Sequence, residues 1–250
     1  MKTGLELNSL ALKTRRYFGE DSYSPIDIFS IINGWKDSKI TLLMYPLSER
    51  ISGMCTKIDD DVLICINSDT SYGRQRFTLA HELYHILYEG NMKRVICDMT
   101  MGENKSESER EADMFAGYLL MPYDALKQYS ERFDRWDLSK VIEVEQFYQI
   151  SHLAMIYRLQ KENLIDDKTA EEFKDIKVSR EAAKLGYGGE LYFKSNDTKK
   201  YFTTGEYIRK VEELADKNKI SNGKREELLM DAFRADIVFN LDEGVPWHND

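Results

Sequence analysis

The sequence contains the stretch Arg76-Phe-Thr-Leu-Ala-His-Glu-Leu-Tyr-His-Ile-Leu-Tyr88, in which apolar residues recur with the period of a helix. Residues four apart on a helix share one face, so His81 and His85 can reach a single metal ion. Glu82 lies beside that face, where its carboxylate can contact a metal-bound water without being a ligand. The H-E-x-x-H pattern is an established zinc-peptidase signature. We therefore interpret the stretch as a hydrolytic zinc site, in preference to two core histidines on a buried helix.

A hydrolytic zinc site takes a third protein ligand and leaves the fourth position to water. The extended pattern of the metzincin class would need Gly at position 88 and His at position 91, but the chain has Tyr88 and Asn91. Glu89 lies eight residues beyond His81, which is about 12 Å along a helix axis. Because an intact helix keeps Glu89 that far away, the third ligand is expected from another element.

The next helical pattern, over residues 108–121, offers three acidic candidates at its start. These are Glu107, Glu109 and Glu111. On a helical wheel Glu109 lies about 60° from the centre of the buried face, whereas Glu111 lies about 100° away on the other side and Glu107 points further out. We predict Glu109 as the ligand and Asp113, four residues later, as a hydrogen-bond partner of a ligating histidine. The alternative is that these acids only favour the helix start.

The chain resembles the ImmA/IrrE family of metallopeptidases in four segments, Gly73–His85, Glu109–Ala116, Leu119–Pro122 and Ile150–Leu159. The similarity extends from about residue 5 to residue 165. It implies a gluzincin-like zinc endopeptidase with His81, His85 and Glu109 as ligands and Glu82 as general base. It also implies action inside bacteria and their mobile elements, where several members cleave helix-turn-helix repressors and so switch genes on. These motifs are specific for the peptidase core and not for the substrate.

Short extended patterns predict a small antiparallel sheet packed on the motif helix. Its strands are predicted over residues 40–45, 51–57 and 62–67. One of the last two strands could hold a substrate backbone by strand addition, or the sheet could be purely structural. Further helices are predicted over residues 5–17, 25–33, 205–218 and 221–240. The expected class is therefore α+β.

Changes in composition divide the chain into three predicted segments. These are a zinc metallopeptidase core over 1–130, a helix-turn-helix-like helical region over 131–185, and a C-terminal hairpin and helical extension with an acidic tail over 186–250. Gly186-Tyr-Gly-Gly189 would be the link to the last segment, and the hairpin would pair Leu191-Tyr-Phe193 with Lys200-Tyr-Phe202. Residues 90–108 are predicted to form a loop that covers the cleft or simply connects two helices.

Cysteine usage and hydropathy favour a cytoplasmic protein. The three cysteines are odd in number and lack C-x-x-C spacing, which predicts reduced thiols and no disulfide framework. The sequence also has neither the apolar core of a signal peptide nor a run of about 18 apolar residues that could span a membrane. We therefore expect a cytoplasmic enzyme without membrane contact.

Charge disfavours nucleic acid as a partner. The net charge is -9, and the helix-turn-helix-like stretch over 137–165 carries three basic and four acidic side chains. We predict a packing or substrate-docking role for this stretch, and a protein substrate such as a helix-turn-helix repressor. The rival classes are a metal-stabilised regulatory binding protein with little peptidase activity and a DNA-binding regulator. The latter would show salt-sensitive binding to duplex DNA.

Overall fold

The computed structural model describes residues 1–36, 38–89, 94–98, 106–132 and 134–241. Its strands are β1 (Lys39–Tyr45), β2 (Ile51–Ile58), β3 (Asp61–Asn67), β4 (Arg94–Asp98) and β5 (Phe202–Gly205). Its helices are α1 (Gly4–Tyr17), α2 (Ile28–Gly34), α3 (Tyr72–Tyr88), α4 (Glu107–Leu120), α5 (Tyr123–Ser130), α6 (Leu138–Tyr148), α7 (His152–Lys161), α8 (Asp167–Lys174), α9 (Val178–Lys184), α10 (Asp197–Lys200), α11 (Glu206–Asp216), α12 (Asn222–Asp231) and α13 (Ala235–Phe239), with a 3-10 turn over Glu190–Tyr192. This content confirms the α+β class and the three predicted strands.

The described strands form one mixed sheet in the order β4-β2-β3-β1-β5. β2 is antiparallel to both β3 and β4, and β5 is antiparallel to β1, in agreement with the predicted antiparallel sheet. β1 and β3, however, run parallel, with Lys39 opposite Asp61 and Tyr45 opposite Asn67. The tight turn at Asp59 joins β2 and β3 into a hairpin. β3 then lies between β2 and β1 and runs parallel to β1.

This strand order bears on the expectation that β2 or β3 lines a substrate cleft by strand addition. Both strands have a neighbour on each side, so neither offers free backbone groups to a peptide. Within the described residues the outermost strands are β4 and β5. An edge that could accept an added strand therefore lies on β4 or β5 and not on β2 or β3.

Helix α3 lies in the centre of the molecule, between the sheet and α4. It begins at Tyr72, four residues before the motif stretch. Its N-cap is Ser71, whose hydroxyl accepts a hydrogen bond from the backbone amide of Arg74. All thirteen residues from Gly73 to His85 are buried. The motif therefore occupies a helix that is packed on all sides, and its histidines have a rigid support.

The C-terminal segment does not contain the predicted hairpin in its described part. Leu191 and Tyr192 form a 3-10 turn, and Phe202 begins β5, which pairs with β1. The reason is that the outer edge of β1 needs hydrogen-bond partners, which β5 supplies. Directly after the 3-10 turn, the backbone oxygen of Phe193 accepts a hydrogen bond from the amide of Tyr72 at the start of α3 (2.8 Å).

Other predictions on this region stay open. The division into three segments stays a prediction. The acidic tail over 242–250, and residues 90–93 and 99–105 of the predicted loop, lie outside the described residues. Across the described ranges, none of the helices combines the length and the apolar character that crossing a bilayer requires.

Candidate metal centre

Two neighbouring helices bring the three predicted ligands together. His81 and His85 point from α3 and are almost fully buried, at 3% and 1% exposure. Glu109 is in the first turn of α4, where its amide donates a hydrogen bond to the N-cap Ser106 (3.2 Å). The packing of α3 against α4 directs the Glu109 carboxylate to the two imidazoles.

The distances within this cluster match those of a tetrahedral metal site. The two Nε2 atoms of His81 and His85 are 3.1 Å apart, and each lies 3.3 Å from one carboxylate oxygen of Glu109. Ligand atoms at about 2.0 Å from a tetrahedral ion are separated by about 3.3 Å. Within the part of the chain that is described, this is the cluster of His, Cys, Asp and Glu side chains close enough to hold an ion. Two imidazoles and a carboxylate suit a first-row divalent metal.

The cluster also has the electrostatics of a cation site. Burial by itself would lower the pKa of His81, but hydrogen bonds to Asp113 and Glu109 outweigh it and raise the pKa to about 9. Burial opposes ionisation of Glu109, yet the hydrogen bonds to His81 and His85 hold its pKa well below the usual range. The negative charge that favours an imidazolium here would equally favour a divalent cation.

The structure separates the three acidic candidates of α4. The Glu111 carboxylate accepts hydrogen bonds from the Tyr84 hydroxyl (2.5 Å) and from the Lys2 ammonium (2.6 Å), away from the histidines. Burial opposes its ionisation, but these hydrogen bonds lower the pKa of Glu111 to about 2. Glu107 contacts the amino group of Met1. Of the three acids, Glu109 alone joins the histidines, although its role as a ligand stays a prediction.

Each histidine has a carboxylate next to its second ring nitrogen. Asp113 lies 2.9 Å from Nδ1 of His81, in the position predicted for it. Glu89 lies 2.9 Å from Nδ1 of His85, a contact that was not predicted. The spacing of four residues between His85 and Glu89 was the available signal. Glu89 was considered only as a third ligand of the ion that His81 would bind.

Glu82 lies outside the ligand cluster, between α3 and β2. Both of its carboxylate oxygens are shielded from solvent. A Cβ atom at Gly53 of β2 would lie 3.4 Å from the Glu82 Oε1 atom, 2.6 Å from the Thr78 Cγ2 atom and 2.9 Å from the Cys65 backbone oxygen. The glycine therefore provides the space that lets the sheet approach α3 at Glu82.

We expect the substitution Gly53→Ala to destabilise the protein by about 1–3 kcal/mol, because the added methyl group overpacks a buried contact. The conflict with the Cys65 backbone of β3 cannot be relieved by a side-chain rotation, so β2 must shift relative to β3, and the conflict with Thr78 pushes β2 away from α3. Urea unfolding measures the loss. The matched control is Gly223→Ala in α12, where an added Cβ meets no atom within 4 Å. Equal stability of the Gly53→Ala variant and the wild type would show that the sheet and α3 do not pack as described.

Comparison with known families gives one match. The model of the family Peptidase_M78, described as an IrrE N-terminal-like domain, matches residues 44–160. The matched region runs from β1 to α7 and includes the ligand cluster, Glu82 and Asp113. No curated protein matches the chain.

Proposed function

We propose that this chain, which belongs to the Peptidase_M78 (IrrE N-terminal-like) family through residues 44–160, is a zinc-dependent endopeptidase acting on a regulatory protein. The family match supports a metallopeptidase. The observation that carries the proposal is the convergence of His81 Nε2, His85 Nε2 and the Glu109 carboxylate at the spacing of a tetrahedral site. The donor set and the buried helix suit zinc.

The roles of the residues follow from this geometry. His81, His85 and Glu109 would hold the zinc ion, and Asp113 would orient His81. Bound zinc would lower the pKa of its water toward neutrality and polarise the scissile carbonyl. Glu82 would take the proton of the attacking water and pass it to the leaving amine. Because Glu82 is fully buried, bulk water does not compete for that proton.

The sheet offers a place for an extended substrate at β4. In the ladder, Gly53 of β2 is opposite Cys97 of β4, and Gly53 also lies against Glu82. A peptide that added to the outer edge of β4 would therefore run two strand positions from β2, the strand that packs against α3 at Glu82. This assignment replaces the prediction for β2 or β3.

The substrate that we propose is a helix-turn-helix repressor, which the sequence resemblance supports. A repressor carries basic surface for DNA, to which a chain of net charge -9 is complementary. An intracellular location belongs to the same proposal, because the buried thiols of Cys55 and Cys65 are free and suit a reducing compartment.

The direct test is incubation of the purified, zinc-loaded protein with a candidate repressor, followed by gel electrophoresis and mass spectrometry of the products. We expect fragments that accumulate with time, that vanish when a chelator removes the metal, and that return when zinc is added back. Under the rival hypothesis of a metal-stabilised binding protein, the two proteins would form a complex without fragments. A complex that stays intact across repressor candidates would decide against the peptidase.

A further inference from the structure

Residues 191–195, which we call the strap, bind the start of the metal helix. The family match ends at residue 160, so it assigns this segment no role. The first amides of a helix have no partner within it, and the backbone oxygen of Phe193 supplies one to Tyr72 (2.8 Å). Next to it, the Ser195 amide donates a hydrogen bond to the backbone oxygen of Ser68 (3.1 Å). The strap therefore holds the loop before α3 and the first turn of that helix.

A buried polar network holds the strap from its other side. The Tyr192 hydroxyl donates a hydrogen bond to Oε2 of Glu145 on α6 (3.0 Å). The second carboxylate oxygen of Glu145 lies 2.6 Å from Nδ1 of His152 on α7. Nε2 of His152 lies 3.0 Å from the backbone oxygen of Phe173 on α8. Because Glu145 is 0% exposed and His152 8% exposed, these hydrogen bonds form away from bulk water. We call the three side chains the Glu145 network.

The partners of His152 determine how many protons the network holds. The backbone oxygen of Phe173 can only accept a hydrogen bond, so Nε2 of His152 carries a proton. Nδ1 faces a carboxylate oxygen, which also only accepts when it is ionised, so the contact between them needs a second proton. The network is therefore complete only when the Glu145–His152 pair holds one proton more than a carboxylate and a neutral imidazole.

The surroundings keep this proton on the pair. Burial alone would lower the pKa of His152, but the hydrogen bond and the charge of Glu145 outweigh it and raise that pKa. Burial raises the pKa of Glu145, although the hydrogen bond and the charge of His152 oppose the shift. Burial also raises the pKa of Tyr192, so its hydroxyl stays a donor. Both members of the pair thus release the proton at a higher pH than they would in water.

Other charged groups lie near His152 on the side of the strap and α3. The ring borders a cavity whose charged side chains also include two cations and two acids, which are Arg74, Lys194, Asp69 and Glu49. Lys194 of the strap pairs with Asp69 (3.2 Å). Because the two signs are equal in number around this cavity, we expect Glu145 to dominate the titration of the ring.

We infer that the Glu145 network is a pH-sensitive latch that holds the strap on the start of the metal helix. When the shared proton leaves, the Nδ1 lone pair of His152 and a buried carboxylate face each other at hydrogen-bond distance, which is unfavourable. The two side chains separate, and Glu145 no longer accepts the hydrogen bond of Tyr192. The strap then opens. Any consequence for peptide hydrolysis rests on the proposed function, but the opening of the strap can be measured without a substrate.

The direction of the pH effect follows from the proton count. The strap is fully held below the ordinary pKa of a histidine, about 6.5, and is released as the pH rises through the raised pKa of the pair. Between these two values opening releases one proton, so each pH unit should raise the opening constant of the strap about tenfold.

The experiment measures hydrogen exchange of the Tyr72 and Ser195 amides by NMR, in the full chain with zinc present, from about pH 6 to about pH 9. Each rate is divided by the intrinsic exchange rate at the same pH. In the wild type we expect protection to fall about tenfold per pH unit within the window. In Glu145→Gln it should stay high at every pH, because the amide group can donate to Nδ1 and accept from Tyr192 without a shared proton.

A second variant tests the connection between the network and the strap. Tyr192→Phe keeps the ring but removes the hydroxyl that reaches Glu145, so protection should be about 10- to 100-fold lower at pH 6 and should no longer follow the titration of the pair. The control is Tyr201→Phe, which removes the hydroxyl of a side chain that is 41% exposed and should behave as the wild type.

Two results would overturn the inference. One is protection in the wild type that does not change with pH or that changes equally in Glu145→Gln. The other, which decides even if Glu145→Gln does not fold, is equal protection in Tyr192→Phe and Tyr201→Phe. A strap that opens with pH in a protein that cleaves no repressor would instead count against the proposed function and leave the latch in place.

Discussion

Replacing Glu82 with glutamine should abolish peptide hydrolysis while the protein still binds its metal. The substitution keeps the size of a side chain that is 0% exposed and fits against Gly53 of β2. It removes the group that we propose accepts and returns the proton, and general acid–base catalysis contributes about 10²- to 10⁴-fold to rates. We therefore expect kcat to fall by at least that factor. Cleavage of a repressor substrate followed over time measures it.

Measuring the zinc content of the Glu82→Gln variant distinguishes a loss of proton transfer from a loss of the metal. Glu82 lies outside the cluster of His81, His85 and Glu109, so Glu82→Gln should bind zinc as the wild type does. His81→Ala provides the contrast, because it removes a proposed ligand and should lose both metal and activity. Normal turnover by Glu82→Gln would show that another group transfers the proton.

The residues of this site were predictable because their signals are local. Four-residue spacing on α3 puts His81 and His85 on one face, and four-residue spacing on α4 puts Glu109 and Asp113 on one side. These rules depend only on the geometry of a helix. They hold as soon as each segment is helical, whatever the rest of the chain does. The helical wheel was wrong about Glu111, which it placed further from the buried face than Glu109, because Glu111 is buried against Lys2 and Tyr84.

Contacts between distant segments were harder to predict from the sequence. β5 pairs with β1 across more than 150 residues, with Thr41 opposite Gly205, and no local pattern specifies such a partner. Glu89 was considered only as a ligand shared with His81, and its contact with Nδ1 of His85 was not predicted. The order of strands and the ends of helices depend on tertiary packing, which one sequence reveals only in part.

Arg15 is the clearest case of a residue whose environment the sequence conceals. It lies between Lys13 and Arg16 in the last turn of an amphipathic helix, where charged side chains ordinarily face solvent. In the structure it is 1% exposed and donates four hydrogen bonds to backbone oxygens, of Leu119 (2.7 Å), Asp21 (2.8 Å), Ser24 (2.9 Å) and Leu120 (3.1 Å). Burial lowers the pKa of Arg15 to about 10, so the side chain is still charged at neutral pH.

These contacts connect α1 and the following loop to the C-terminal end of α4. The last carbonyl groups of a helix have no partner within it, and here the guanidinium supplies one to Leu119 and Leu120. The planar side chain reaches all four oxygens because its donors point in several directions. Because α4 also carries Glu109 and Asp113, the contacts of Arg15 support the helix that completes the metal centre.

We therefore expect Arg15→Met to destabilise the protein by about 3–5 kcal/mol, because it leaves buried backbone oxygens without donors while it retains much of the apolar stem. Arg15→Lys should recover only part of this loss, since one ammonium cannot reach both the loop and α4. Arg16→Met is the matched control, because Arg16 is exposed on the same helix and should change stability by no more than about 0.5 kcal/mol. Urea unfolding of the four proteins at one pH gives the comparison. If Arg15→Met and Arg16→Met unfolded at the same midpoint, Arg15 would not connect α1 to α4, and the packing of α4 would have to depend on its apolar face alone.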